Sequence, residues 1–514
     1  MAASPPTAVG REAAGTSAIR ALAAADAAAE RGWFVTARDH WRSAARDAEA
    51  RGDSTTTRLV AAKSQELDAL ERALEQSTAV RERQAAAAWT ATDWPVSWRV
   101  AAGPATCGVA AGPPPLSIAN GLVVWNTGRS VHAVALADGR PRWPAADERD
   151  TCIFPRGVGG PASACTLPPT AAASAGGKAY AVIDQGRDGH LLVCLDLSDS
   201  AEGRLAWSAT AADAARLAPR GATAFDGPPV VDHELCCVVI RADDARGGLA
   251  LAVFDSRDGG LRWVRGLGTA VAADGSDRAR GRRQPCLAED RIVVDTHTGA
   301  VHAFDRDGTV AWTTAGDAAA AGDATCVSPP HLVRDRLLLA AGDGTGIVAV
   351  DPRGGTRIWE WRAEDEPVTG VLGAISGGLV LTTRAGGRAG ATLRRLAVED
   401  GRQTAAFAAA GVMPGRSAGA ALAAGTIFLP VAVDDAADGS ARTHGLQIEV
   451  LDAVTLERRR RPVDAAALVD AADAADDASH GPRLAVADGR LVIAAGAICC
   501  IRPAPPSAPD PTPR

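Results

Sequence analysis

The amino-acid sequence predicts an all-β fold: an eight-bladed β-propeller of four-stranded antiparallel blades, closed by joining N- and C-terminal strands and preceded by a small α-helical segment. Three observations carry that expectation. Past residue 94 the chain breaks into short runs of Val, Ile, Leu and Ala punctuated by Gly, Asp and Pro. Tryptophans recur there at Trp98, Trp143, Trp207, Trp263, Trp312 and Trp359, followed by Phe407, at spacings of 45, 64, 56, 49, 47 and 48 residues. Residues 17–90, by contrast, are rich in Ala, Arg, Glu and Asp, with apolar residues three and four apart, the period of a helix.

Taken in chain order, residues 1–16 read as a disordered N-terminus and residues 17–90 as a helical hairpin plus one further helix. Within the latter, Gly32, Phe34, Ala37, Trp41 and Ala44 resemble the small-and-aromatic pattern by which paired helices of tetratricopeptide repeats interlock. One such hairpin cannot bury its apolar face alone, so it needs a further helix or a partner.

Residues 91–502 are the expected propeller. Its repeating phrase is plainest over residues 119–143, 289–312 and 334–359. A polar turn leads into a strand, a Gly-containing hairpin reverses the chain, and a second strand ends near an Asp. An Asp-Gly or Gly-Gly turn then feeds a strand closing on Trp. An innermost strand lies upstream, often after Pro, as at residues 228–231 and 329–333. The turn aspartates Asp196, Asp255, Asp305, Asp351 and Asp452 are expected to cap turns, with Ala135 and Ala397 replacing them elsewhere. Second strands should start near Gly121, Gly177, His233, Asp290, Asp335, Gly377, Ala424 and Asp488, which gives eight blades. The last blade lacks an outer strand, and residues 94–100 end like a blade without inner strands, so they should complete it. Residues 503–514 form a Pro-rich tail expected to be extended or disordered.

The blade phrase, with its closing Trp, is similar to the repeat of pyrroloquinoline-quinone-type propellers, over about residues 94–502. That family includes quinoprotein dehydrogenases and the propeller subunit of the outer-membrane barrel-assembly machine. The resemblance implies, for the dehydrogenases, a quinone at the ring axis between a Trp floor and a vicinal disulfide, with Ca²⁺ and an Asp base. Two vicinal cysteine pairs occur here, Cys236-Cys237 and Cys499-Cys500, but both fall in apolar strand runs. Successive strand residues point to opposite faces, so paired thiols are expected there rather than disulfides. No Glu, Asn and Asp cluster at recognisable spacing supplies the metal. No cofactor is therefore expected; pyrroloquinoline quinone with Ca²⁺ belongs to the alternative, a quinoprotein-type oxidoreductase.

Composition bounds the remaining possibilities. Of 514 residues, 47% are hydrophobic and 22% charged, and 54 Lys plus Arg against 61 Asp plus Glu give a net charge of −7. This is globular composition, and a mildly acidic chain argues against nucleic acid as a partner. No apolar run behind a basic segment marks a secretory signal at the start, so the expected compartment is cytoplasmic. The uncharged apolar stretch at residues 418–433 is interrupted by Gly419, Gly425 and Pro430 and is too short to span a bilayer, which takes ~20 residues.

Several local motifs lose their meaning in context. Gly415, Ser417 and Gly419 match G-x-S-x-G, yet a short strand rather than a helix follows. The run Gly342 to Gly346 joins two strands and so reads as a hairpin turn, not a phosphate loop. Asp184 and Asp188 lack the distal acidic ligand of a calcium loop. His132 and His302 occupy one slot in two blades and read as strand residues. The basic run from Arg458 to Arg461 reads as a solvated blade edge or a docking point for an acidic partner.

A site would sit at a mouth of the central channel. The connections leading into the inner strands carry Arg156, Arg220, Arg283, Gln284, Ser328 and Arg416. Arginines around one mouth would favour an anionic ligand or an acidic peptide. The expected function is that of a non-catalytic scaffold, with the ring for protein or small-ligand contact and the helical segment for a second partner.

Overall fold

The computed structural model describes residues 20–29, 34–89, 94–101, 114–143, 151–155, 169–185, 189–201, 203–215, 222–242, 247–269, 283–315, 328–341, 344–363, 366–375, 377–384, 391–409, 419–423, 425–434, 444–464, 482–495 and 497–502. Two compact units emerge, one built around residues 1–82 and the other around residues 83–514, with a small exchange at residues 288–291. The N- and C-terminal segments 1–16 and 503–514 lie outside the described residues.

The smaller unit contains α1 (residues 20–29), α2 (Phe34–Arg51) and α3 (Ser54–Ala88). Ala25 and Ala28 of α1, Ala37, Trp41 and Ala44 of α2, and Val60 and Leu67 of α3 share one buried cluster. Small residues let the helices approach around one indole, so the pattern at Ala37, Trp41 and Ala44 serves packing. Asp53 starts α3: its Oδ1 accepts the backbone N–H groups of Thr55 and Thr56 at 3.1 Å each. Hydrogen bonds from Thr56, first among the causes, hold the Asp53 carboxyl below its ordinary pKa.

The larger unit is the eight-bladed propeller. Blade 1 spans residues 116–154, blade 2 173–210, blade 3 222–269, blade 4 286–315, blade 5 331–362, blade 6 368–409, blade 7 421–464, and blade 8 483–501 plus the closing strand. Each is a meander that starts from its first strand, and first strands touch their counterparts from blade 6 through blades 7, 8, 1 and 2 to blade 3. The closing strand Val96–Ala101 pairs antiparallel with Ala497–Ile501, with Trp98 opposite Cys500. Eight second strands begin at Leu122, Lys178, Leu235, Arg291, Arg336, Gly378, Thr426 and Arg490.

Two-residue hairpins explain several of those starts. In blade 1, Ala119 pairs with Leu122 across Asn120 and Gly121, both at positive φ (51° and 70°), as a type I′ turn requires. Asp196, Asp255, Asp351 and Asp452 cap their turns as the sequence suggests, with Asp255 Oδ1 accepting Arg257 N at 2.9 Å and Asp452 Oδ1 accepting Val454 N and Thr455 N; in blade 4 it is Asp307 Oδ1 that accepts Thr309 N at 2.9 Å.

Blade 3 departs from the four-strand expectation. Its inner strand is cut into Ala222–Phe225 and Val230–Val231, both paired with Leu235–Ala242. At the break, Gly227 (φ 134°) lies so close to the Arg283 carbonyl that a Cβ would clash. The break admits the start of blade 4.

Between blades, the repeating tryptophans do more than close a strand. Trp98, Trp143, Trp207, Trp263, Trp312 and Trp359 lie against Gly139, Gly203, Gly259, Gly308, Gly355 and Gly401 of the next blade. A Cβ at those glycines would stand 2.5–3.0 Å from indole carbon atoms, and all six glycines have positive φ. The indole Nε1 donates to a carbonyl in the same turn: Trp98 to Leu136, Trp207 to Ser256, Trp263 to Arg306, Trp312 to Pro352 and Trp359 to Val398, at 2.8–3.1 Å. Glycine is needed twice over, for the left-handed backbone and for the face of the ring.

The junction of blades 7 and 8 is filled differently. Trp89 is 1% exposed and packs with Phe428, Ile448, Leu491 and Ile493. Its ring centroid is 4.7 Å from that of Phe428 and 5.3 Å from that of Trp94. Although residues 17–90 read as helical, Trp89 belongs to the core of the ring.

Candidate functional site

Among the described residues, a cavity of about 240 Å³ opens where the inner strands of blades 6, 7, 8 and 1 converge. Its walls are Pro115 and Leu116 of blade 1, Gly370 to Leu372 of blade 6, Ala420 beside blade 7, and Arg483 with Leu484 of blade 8. Thr382 also reaches it, but its hydroxyl is engaged by Thr369 Oγ1 at 2.9 Å and the Gly370 carbonyl at 3.3 Å.

Arg483 is held there by the backbone. Gly419 forms a parallel bridge with Arg483 and accepts Leu484 N at 2.9 Å. A Cβ on Gly419 would collide with the Pro482 carbonyl, so glycine permits the two inner strands to meet. The Arg483 Nε is buried with no hydrogen-bond partner. Burial alone lowers the pKa of its guanidinium from the ordinary arginine value, and among the described residues no carboxylate lines the cavity.

The residues expected at the channel mouth divide into two groups. Arg156, Arg220 and Arg416 lie outside the described residues. Arg283 is fully buried, with Nη1 2.5 Å from Asp226 Oδ2 and Nε donating to the Thr296 carbonyl at 3.0 Å. Its charge is matched by Asp226 across the break in blade 3, so it joins blades instead of presenting a cation to a ligand. Gln284 is half-buried. Ser328 is buried, its Oγ 3.3 Å from His331 Nε2 on the inner strand of blade 5. Sequence reasoning missed Arg483; the available signal was an arginine opening an inner strand, RLAVA, where the others, His331 of blade 5 apart, open on small or apolar residues.

The remaining motifs also resolve into structure. Arg458 holds both carboxylate oxygens of Glu449 (2.7 and 2.9 Å) and lies over the Phe407 ring; Arg459 bonds Asp452, and Arg460 covers Trp94 at 4.8 Å. His132 stacks on Trp125, and His302 faces the Leu267 carbonyl and Thr313. Gly415, Ser417, Gly342 and Asp188 lie outside the described residues.

The features implied for a quinone site do not fit the described residues. Cys236 and Cys237 are consecutive in one strand, and their side chains enter different interblade cores. Cys499 and Cys500 divide in the same way. A bond between neighbouring sulfurs would have to break that alternation. Among the described residues no three His, Cys, Asp or Glu side chains are grouped to hold a metal ion. No helix of the described residues is long and apolar enough to cross a membrane.

The fold defines the class, an eight-bladed propeller with a small helical N-terminal unit, and part of it is similar to pyrroloquinoline-quinone-type repeats. Residues 246–405, most of blade 3 through blade 6, match the family described as outer membrane protein assembly factor BamB. Among solved structures, the quinohemoprotein alcohol dehydrogenase ADHIIG from Pseudomonas putida HK5 is similar at 12% identity and a TM-score of 0.53, covering 82% of this chain and 78% of that one. The quinohemoprotein alcohol dehydrogenase from Comamonas testosteroni covers the same shares at 13% identity and a TM-score of 0.50. BamB from Moraxella catarrhalis aligns at 15% identity and a TM-score of 0.37, over 64% of this chain and 95% of that one. At these identities the likeness is one of fold. No curated protein matches the sequence.

Proposed function

We propose that this protein is a non-catalytic binding platform, whose propeller engages a protein partner and whose helical unit offers a second contact surface. The observation that carries the reading is the chemistry of the ring's centre. Its described cavity has apolar walls, an engaged hydroxyl and one arginine, without a carboxylate to serve as general base or metal ligand. The family matched by residues 246–405 is described as an assembly factor, a role of protein contact, and this supports the same reading.

The test has two arms. Pyrroloquinoline quinone with Ca²⁺, added to the intact chain, is expected to give neither a thermal shift nor dye-linked alcohol oxidation; either response overturns the reading in favour of an oxidoreductase. In the second arm, a partner recovered with the intact chain is purified and mixed with it again. Co-elution of the two pure components is expected, and its failure for every recovered candidate counts against a platform.

A further inference from the structure

We propose that the cavity at the convergence of blades 6, 7, 8 and 1 is a binding site for a single carboxylate group, received by Arg483. The inference concerns a ligand of the ring's centre and stands independently of any protein partner.

Three features of the cavity lead there. First, its charge is unmatched. Arg483 is the one charged residue among the described residues lining it, its side chain has no hydrogen bond or ion pair with any described residue, and its Nε is fully buried. A guanidinium partly withdrawn from water, with its Nε buried and unpartnered, carries a desolvation cost, and an anion in the adjoining space offsets it. Second, the walls offer nothing else: Leu116, Val371, Leu372 and Leu484 are apolar, and the Thr382 hydroxyl is engaged. One planar fork of donors with no second cation balances one negative charge and matches carboxylate geometry; a phosphate dianion would remain half uncompensated. Third, about 240 Å³ is below the roughly 300–1,000 Å³ of sites for drug-sized ligands, so the occupant is a small acid or the end of a chain. The Gly419 approach to Pro482 and Arg483 fixes the backbone from which the Arg483 side chain extends, which leaves less for a ligand to order.

Calorimetric titration of the intact chain at constant ionic strength tests this, with acetate, succinate and inorganic phosphate as probes and a short peptide in free-acid and amidated forms. Saturable carboxylate binding is expected, weakened roughly tenfold to hundredfold in Arg483→Gln, as loss of a charge-assisted pair implies. Arg483→Lys should fall between. Binding of acetate or succinate assigns a small organic acid; binding of the free-acid peptide alone assigns a chain terminus. Without ligand, Arg483→Met should unfold at a temperature equal to or higher than the parent, since it removes an unmatched charge. No carboxylate binding to the parent, undiminished binding to Arg483→Gln, tighter binding of phosphate than of any carboxylate, or a clearly lowered unfolding temperature for Arg483→Met would each overturn the assignment. Carboxylate binding without any protein partner would retire the platform reading and leave this one standing.

Discussion

The interface of blades 5 and 6 and that of blades 6 and 7 solve one packing problem in two ways. In the first, Trp359 lies on Gly401 (φ 72°) and donates to the Val398 carbonyl. In the second, Phe407 replaces the Trp, and Leu456 (φ 58°) stands where the glycine should be, donating its N–H to the Asp452 carbonyl as Gly401 does to Ala397. Leu456 is 1% exposed in the cluster that includes Phe407, and Arg458 covers the Phe ring at 5.4 Å. The volume given up by the aromatic residue is thus returned by an aliphatic one on the other blade. Aromatic and turn residue act as a pair; neither is interchangeable alone.

The largest expected effect comes from removing an indole. Trp263→Ala should lower stability by about 3–5 kcal/mol in urea or thermal unfolding, because it opens a cavity and strands the Arg306 carbonyl; Phe407→Ala should cost less, since Leu456 already fills part of the space. Next come the glycines. Gly401→Ala must bear both a left-handed backbone, ~1–2 kcal/mol, and a clash with Trp359 of ~1–3 kcal/mol. Gly489→Ala, at φ 67° with nothing within 4 Å, bears only the first. Equal losses would show that the docking is not tight.

A smaller signal tests the pairing itself. Phe407→Trp and Leu456→Gly should each destabilise, while the double variant should recover ~1–3 kcal/mol relative to their sum; additivity would dissolve the comparison. The smallest effect is that of pH. Burial lowers the pKa values of His331 and His302 below 6.5. The unfolded chain therefore takes up protons first as pH falls, and stability fully present above about pH 7 is lost as pH drops below ~6.5. His331→Asn should flatten the lower part of that profile in thermal unfolding.

Much of the ring was legible because turn chemistry is local. Every second strand starts within two residues of its expected place, since short turns rich in Gly and Asp, among them Asn120-Gly121, Gly176-Gly177 and Asp488-Gly489, fix the hairpins. The closing strand was legible through incompleteness, as residues 94–100 and 483–501 each lack what the other holds. The docking of Trp on Gly was not, because the partners belong to different repeats and no local pattern ties Trp98 to Gly139. The site was least legible. Arg283 reads as a surface cation until Asp226, far away in sequence, is seen to neutralise it. Arg483 hides in a strand of apolar residues, and its isolation is a property of four blades at once.

The position of Trp98 has a consequence for how the molecule is made. Its indole is anchored in the Leu136 to Gly139 turn of blade 1, while its backbone pairs with Cys500 of blade 8. The first of those contacts can form as soon as blade 1 leaves the ribosome. A clasp held in that way beside the first blade would let the last strands to emerge find their mate in place instead of recruiting a distant, wandering end of the chain.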